Sequence, residues 1–184
     1  MTLLESLNLP LGTPAINFSL KGVDERTYTL ESFTDARLLV IVFMCNHCPY
    51  VQAVWPRLVA LQGKYKSEGV QFVGINANAA NSDYEEDNFE NMQDYFLKYK
   101  MNFPYLIDET QNVAREYQAQ CTPDIYVFDD KRKLAYHGRI DDNWKDETKV
   151  TKSELDQVIE ALLKSEKPAE LQYPSMGCSI KWRE

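Results

Sequence analysis

The sequence predicts an α/β domain with a central mixed β-sheet flanked by α-helices, on three observations. After Arg37, the run Leu38-Leu39-Val40-Ile41-Val42-Phe43 is continuously apolar, rich in β-branched residues and ending in an aromatic one, and short enough to be a strand buried on both faces. Beyond it, Val51, Val54, Trp55, Leu58 and Leu61 recur at steps of three and four, which places a helix from about Cys48 to about Lys66. After Gly69, Val70-Gln71-Phe72-Val73-Gly74-Ile75 is a second buried strand. Strand, helix and strand at this spacing make a βαβ unit, whose right-handed crossover sets the two strands parallel. A chain of 184 residues, 44% of them hydrophobic, supplies one core. It is expected to be a single domain over 1–184, with an N-terminal extension to about residue 33 and a docked tail from about 168.

The other elements follow in order. Residues 16–20 and 27–30, joined through Gly22, predict a small β-hairpin added at the N-terminus. Residues 76–81 read as a loop rich in Asn and Ala. Residues 82–100 predict a helix led by Asp83, Glu85, Glu86, Asp87 and Glu90 and trailed by Lys98 and Lys100, the polarity that suits the helix dipole. Its stripe of Phe89, Met92, Phe96 and Tyr99 belongs to the core, and its acidic run to a solvated face. Residues 104–107 are a strand, 110–117 a short helix, and 124–128 a strand that turns through 129–132 into 133–137 as a hairpin. Residues 151–163 close the domain as an amphipathic helix. The tail beyond Pro168 has no strong period, although Gly177, Ile180 and Trp182 suggest docking, with Cys178 helping to seat it. His137 reads as structural.

Charge and cysteine usage exclude several functions. A formal charge of −8 opposes phosphate-backbone binding, so no nucleic acid partner is expected. The first residues carry no basic stretch ahead of an apolar one, and no run approaches the roughly 18 apolar residues of a membrane span. A soluble, cytoplasmic protein with no membrane partner is the expectation. Four cysteines are too few for a disulfide scaffold, and in a reducing compartment a close pair is catalytic or metal-binding.

The close pair lies in "FMCNHCPYV", residues 43–51, where the first strand gives way to the helix. Unpaired N–H groups and the dipole at a helix N-terminus stabilise a thiolate, so Cys45 is expected to be the low-pKa nucleophile. Cys48, three residues on, would resolve the mixed disulfide formed at Cys45. His47 would add positive charge beside the thiolate, and Pro49 fits the first helical turn. One C-x-x-C is also half a zinc site, for which only Cys121, His137 and Cys178 remain as further ligands. Read singly, Cys121 and Cys178 are small buried hydrophobes.

The strand 38–43, "CNHCPYV", "CTPDIYVFD" and the tail "PSMGCSIKW" together resemble the thioredoxin fold. The chain is most similar to the thioredoxin-like, peroxiredoxin-related proteins of redoxin or AhpC/TSA type, from about residue 12 to the end. The resemblance implies a cis Pro123 facing the dithiol, and backbone at Thr122 that pairs with an extended substrate peptide. Met44 stands where thioredoxins carry Trp and is expected on the substrate side, while the Pro123 loop would bring Cys121 close to Cys45 as a third thiol. The implied activity is thiol–disulfide exchange with a protein or small-molecule disulfide or dithiol, served by an upstream thiol reductase, with antioxidant value. It needs no organic cofactor and no resident metal, and the oligomeric state stays open. A His before the second cysteine also occurs in strongly oxidising members, whose potentials reach about −120 mV against about −270 mV for thioredoxin. A couple more oxidising than thioredoxin is therefore expected. The strand 38–43 offers no carboxylate of the kind that helps thioredoxins deprotonate the resolving cysteine.

Three alternatives accompany this resemblance. A peroxiredoxin-like thiol peroxidase would use Cys48 as the peroxidatic cysteine, but Ile41 and Cys45 stand where that pattern has Pro and Thr or Ser. Copper or zinc binding would draw on the cysteine pair with His137. A dithiol can also act as a redox sensor without being a catalyst.

Overall fold

The computed structural model describes residues 2–169 and 171–183; Met1 and Glu184, the ends of the expected domain, and Glu170 lie outside it. In chain order its elements are β1 (Leu3–Glu5), β2 (Ser19–Gly22), β3 (Thr27–Thr29), β4 (Leu38–Phe43), α1 (Pro49–Tyr65), β5 (Val70–Asn76) and α2 (Phe89–Lys98). They continue as β6 (Tyr105–Ile107), α3 (Asn112–Glu116), β7 (Cys121–Thr122), β8 (Asp124–Phe128), β9 (Leu134–Gly138), α4 (Glu154–Leu163) and β10 (Met176–Ser179).

A mixed sheet runs in the order β3-β2-β6-β5-β4-β8-β9. β4, β5 and β6 are parallel neighbours, as the βαβ spacing requires, whereas β8 joins β4 antiparallel. β4 is apolar throughout because both of its faces are covered. Val40 and Val42 pack toward α1 and Trp55, while Leu39, Ile41 and Phe43 pack toward Tyr117 and Tyr126 on the other side. Burying each such side chain contributes about 1.5–3 kcal/mol. This strand therefore fixes the loop that follows it.

Three elements differ from the sequence expectation. The helix expected over 82–100 begins only at Phe89, because Asn88 caps it: its Oδ1 accepts the Asn91 N–H at 2.8 Å. Residues Glu85–Asp87 form a separate 3-10 turn, and Asp87 is fully buried rather than on a solvated face. Asn88→Ala is expected to cost about 1 kcal/mol, read as a lower urea midpoint with an unchanged m-value. The N-terminal hairpin starts at Ser19 rather than residue 16, and β2 also pairs with β6, so the hairpin extends the central sheet.

The third difference is the tail, where β10 lies between β1 and β7 in a second, antiparallel sheet. Four residues that include Gly177 and Cys178 are too short and too small-chained to show a strand period. Their position is nonetheless tightly specified. A Cβ at Gly177 would lie 1.9 Å from the Thr122 carbonyl oxygen, so only glycine allows β10 this close to β7. Gly177→Ala is expected to lift β10 at a cost of about 1–3 kcal/mol and to speed alkylation of the Cys48 thiol beneath it.

Candidate active site

β4 delivers the chain to the loop 44–48, and α1 leaves it at Pro49. Facing the loop is the cis Thr122–Pro123 peptide. The Cys45 Sγ lies 3.3 Å from the Thr122 Oγ1. The Cys48 Sγ lies 3.1 Å from the Thr122 carbonyl oxygen and 2.9 Å from the Cys178 Sγ, and the Cys45 and Cys48 thiols hydrogen-bond each other. Cys45, Cys48, Thr122 and Pro123 thus share one site.

The pKa shifts in that site run opposite to the expectation of a low-pKa Cys45. The N-cap of α1 is Cys48, and Cys45 stands three residues ahead of that cap. Thiol donors from Cys178 and Cys45, then the Thr122 hydroxyl and the Val51 N–H, converge on the Cys48 sulfur and hold its pKa far below the usual thiol value. The Thr122 carbonyl favours the protonated thiol instead, but one acceptor is outweighed by these donors and the helix dipole. Cys45 moves the other way: burial first, then its bond to Cys48 and the Asp87 charge, push its pKa up.

Asp87 is the residue that sequence reasoning missed. Its Oδ1 accepts the Asn46 N–H at 2.5 Å and the His47 N–H at 3.4 Å, and the His47 Nδ1–H donates to its Oδ2. His47 also stacks on Tyr84, with ring centroids 4.9 Å apart, so its ring faces Asp87 and Tyr84. Asn46 is held at every polar group: its Nδ2 donates to the Glu86 carbonyl, its Oδ1 accepts from the Tyr105 hydroxyl, and its carbonyl accepts from the Gln52 Nε2. The two residues between the cysteines are therefore the clamp that shapes the loop. An acid followed by an Asn cap was the available signal, since a capped helix leaves the preceding side chain free to turn inward.

Two expected site residues lie elsewhere. Met44 is fully buried and its sulfur fills the space over Gly74, so it packs the core rather than a substrate surface; the strand simply continues one residue further, with the Met44 N–H donating to the Ile75 carbonyl. Cys121 does not stand beside Cys45 as the third thiol. Successive strand residues point to opposite faces, so with Thr122 turned to the dithiol, the Cys121 Sγ meets the carbonyls of Pro123 and Ser175 at 3.7 and 3.9 Å. Burial raises its pKa. The thiol that does reach the dithiol is Cys178.

The edge of Thr122 is also taken, since Cys178 pairs with Thr122 and Ser179 with Cys121 across β10 and β7. Beside Pro123 a groove of about 240 Å³ opens between Val54, Trp144 and Met176. Cys45, His47 and Asp87 place potential ligand atoms within 4.8 Å of one another, and the His47 Nδ1 is bonded to Asp87. His137 is committed to Asp124, donating from Nε2 at 2.8 Å, so it is not paired with Cys48 in a copper site.

Several known proteins similar to this chain are named for thiol–disulfide chemistry. The model of the AhpC/TSA family matches residues 11–137. A crystal structure of an uncharacterized conserved protein from Geobacillus kaustophilus is 43% identical, with a TM-score of 0.94 over 100% of this chain and 97% of that one. The thiol-disulfide oxidoreductase ResA of Halalkalibacterium halodurans is 25% identical over 70% of this chain, and the match spans 65% of that protein's length. A secreted disulfide oxidoreductase of Mycobacterium tuberculosis, homologous to Escherichia coli DsbE, shares the fold at a TM-score of 0.55 and 21% identity, over 64% of this chain and 79% of that one. That secreted relative overturns the cytoplasmic expectation. The expectation rested on the absence of an apolar leader and on a reducing compartment for the dithiol, and a secreted protein uses this fold for disulfide chemistry. No helix among the described residues is long and apolar enough to cross a membrane. With the family model matching well over half of its length and the mixed sheet of a thioredoxin fold around its dithiol, the chain belongs to the AhpC/TSA family.

Proposed function

We propose that the protein is a thiol–disulfide oxidoreductase whose couple is Cys45–Cys48 and which runs most readily as an oxidant of dithiols. The observation that carries this is the lowered pKa of Cys48, set first by its bonds to the Cys178 and Cys45 thiols. A low-pKa thiol is a good leaving group, and a stabilised thiolate stabilises the reduced state. In the oxidising direction a substrate thiolate attacks the Cys45 sulfur of the disulfide, the S–S bond breaks, and Cys48 departs as a thiolate. The substrate's second thiolate then attacks the mixed disulfide, leaving with its own disulfide formed while Cys45 takes up a proton. In the reverse direction Cys45 carries the mixed disulfide and Cys48 resolves it, but the raised pKa of Cys45 slows the opening attack.

Thr122 and Pro123 wall the exchange site, and His47 is held beside it by its bond to Asp87. The substrates are protein or small-molecule dithiols or disulfides, recharged by a disulfide donor or, in reverse, by a thiol reductase. To test this, the protein is equilibrated across graded dithiothreitol buffers, alkylated, and mapped by peptide mass spectrometry. Cys45 and Cys48 are expected to oxidise together at one midpoint above that of thioredoxin, about −270 mV. A pair that stays reduced throughout sinks the proposal.

A thiol peroxidase is the second reading, favoured by the same ionised Cys48, which stands at the position of the peroxidatic cysteine in the resemblance. Stoichiometric hydrogen peroxide separates the two. Rapid conversion of Cys48 to a sulfenic acid would put the peroxidase first, and slow conversion beside fast exchange with disulfides leaves it second.

A further inference from the structure

We propose that Cys178 is a third redox-active thiol of this site, which exchanges with Cys45 for Cys48 and forms an alternative Cys48–Cys178 disulfide. The inference rests on the thiol–disulfide reading of the Cys45–Cys48 couple and adds a residue and a state to it.

The sulfurs of Cys48 and Cys178 are 2.9 Å apart. A disulfide bond is about 2.05 Å long, so closing the pair takes a movement smaller than the width of an atom. The tail that carries Cys178 is fastened on both sides of it. Upstream, the Ser175 N–H donates to the Ser6 Oγ at 2.9 Å and its hydroxyl to the Gly138 carbonyl at 2.7 Å. Downstream, the Ile180 N–H donates to the Gln120 carbonyl at 3.1 Å and the Lys181 N–H to the Asn78 Oδ1 at 2.8 Å. Between these anchors β10 lies in register with Cys178 opposite Thr122, and Leu3 of β1 opposes Cys178 from the other edge. Gly177 permits the close approach.

Cys48 is thus the middle sulfur of three, in hydrogen-bonding contact with Cys45 on one side and Cys178 on the other. The exchange balances without an outside oxidant. The deprotonated Cys178 sulfur attacks Cys48 in the Cys45–Cys48 disulfide, the Cys45–Cys48 bond breaks as the Cys48–Cys178 bond forms, and Cys45 leaves and takes up the proton that Cys178 gave up. Nucleophile and leaving group are alike, since both are buried cysteine sulfurs flanking Cys48. The product state ties the tail to the start of α1 across Thr122 and returns Cys45 to the thiol form. External substrate then meets a covalently closed site.

Cys45→Ser isolates the second pair. In the dithiothreitol series that oxidises the wild type, this variant is expected to lose two alkylatable thiols and to yield a cross-linked peptide joining Cys48 to Cys178, with Cys121 still alkylated. Alkylation of both Cys48 and Cys178 across the series, or Cys48 found only in disulfides between two molecules, overturns the proposal. The wild type run alongside separates the readings: if its Cys45 and Cys48 oxidise while the variant's Cys48 and Cys178 do not, only this inference fails, and if neither pair oxidises, both fail. Should the circular dichroism of Cys45→Ser show that it has not folded, partly oxidised wild type supplies the readout. A minor Cys48–Cys178 peptide that vanishes in Cys178→Ser supports the exchange, and its absence from the wild type overturns it.

Discussion

Asp87→Ala is expected to destabilise the protein by about 3–5 kcal/mol, the cost of removing one partner of a buried, hydrogen-bonded polar pair. Four donors lose an acceptor at once: the Asn46 and His47 amides, the His47 Nδ1–H and, at 3.5 Å, the Asn76 Nδ2. None of them gains water without opening the loop, since Asn46 and Asp87 are fully buried. In a domain of this size each kcal/mol moves the melting temperature by roughly 2–4 °C, so the expected loss is on the order of 10 °C. The substitution also removes the negative charge that helps raise the Cys45 pKa, so the thiol of the variant ionises at lower pH than in the wild type. Calorimetry and a thiolate absorbance titration read the two effects separately. A variant that melts like the wild type would mean that the loop holds its shape without the carboxylate, and the clamp would be misassigned.

That prediction turns on a residue the sequence disguises. The strand β4, the helix after it and the parallel β5 are legible because each carries a period and a length that physical chemistry ties to one structure. The cysteine pair is legible because its spacing falls at the strand-to-helix junction. Asp87 is not, because it stands in a run of five acids that reads as a solvated helical face, and only the Asn88 cap separates it from the helix. Cys178 is hidden for another reason. Its place depends on a pairing of β10 with β7 between residues more than fifty apart in sequence, through a glycine whose necessity appears only when the opposing carbonyl is in view. The low-pKa cysteine is within reach of the sequence: a helix that starts at about Cys48 already makes Cys48, not Cys45, its cap, but the thiol of Cys178 that reaches it is brought there only by the tail.

This assignment of charge makes oxidation destabilising, the reverse of what a disulfide ordinarily does. Folded and unfolded protein, each reduced or oxidised, form a closed cycle. If the folded couple is the more oxidising one because the fold stabilises the Cys48 thiolate, the fold must favour the reduced chain by the same free energy. Reduced protein is therefore expected to melt several degrees above oxidised protein at pH 7–8. The dependence on pH follows from the depressed Cys48 pKa. An unfolded thiol ionises near about 8.5, so the thiolate contributes fully above that pH and fades as pH falls toward the folded value. The lead of the reduced form should shrink by about 1.4 kcal/mol per pH unit through that window. Among the reduced proteins, Cys48→Ser, which has no thiolate to stabilise, should lose the fall in melting temperature with falling pH that the wild type shows, while reduced Cys45→Ser keeps most of it. A disulfide form that melts higher than the reduced form at pH 7 would place the thiolate elsewhere and remove the ground for an oxidising couple.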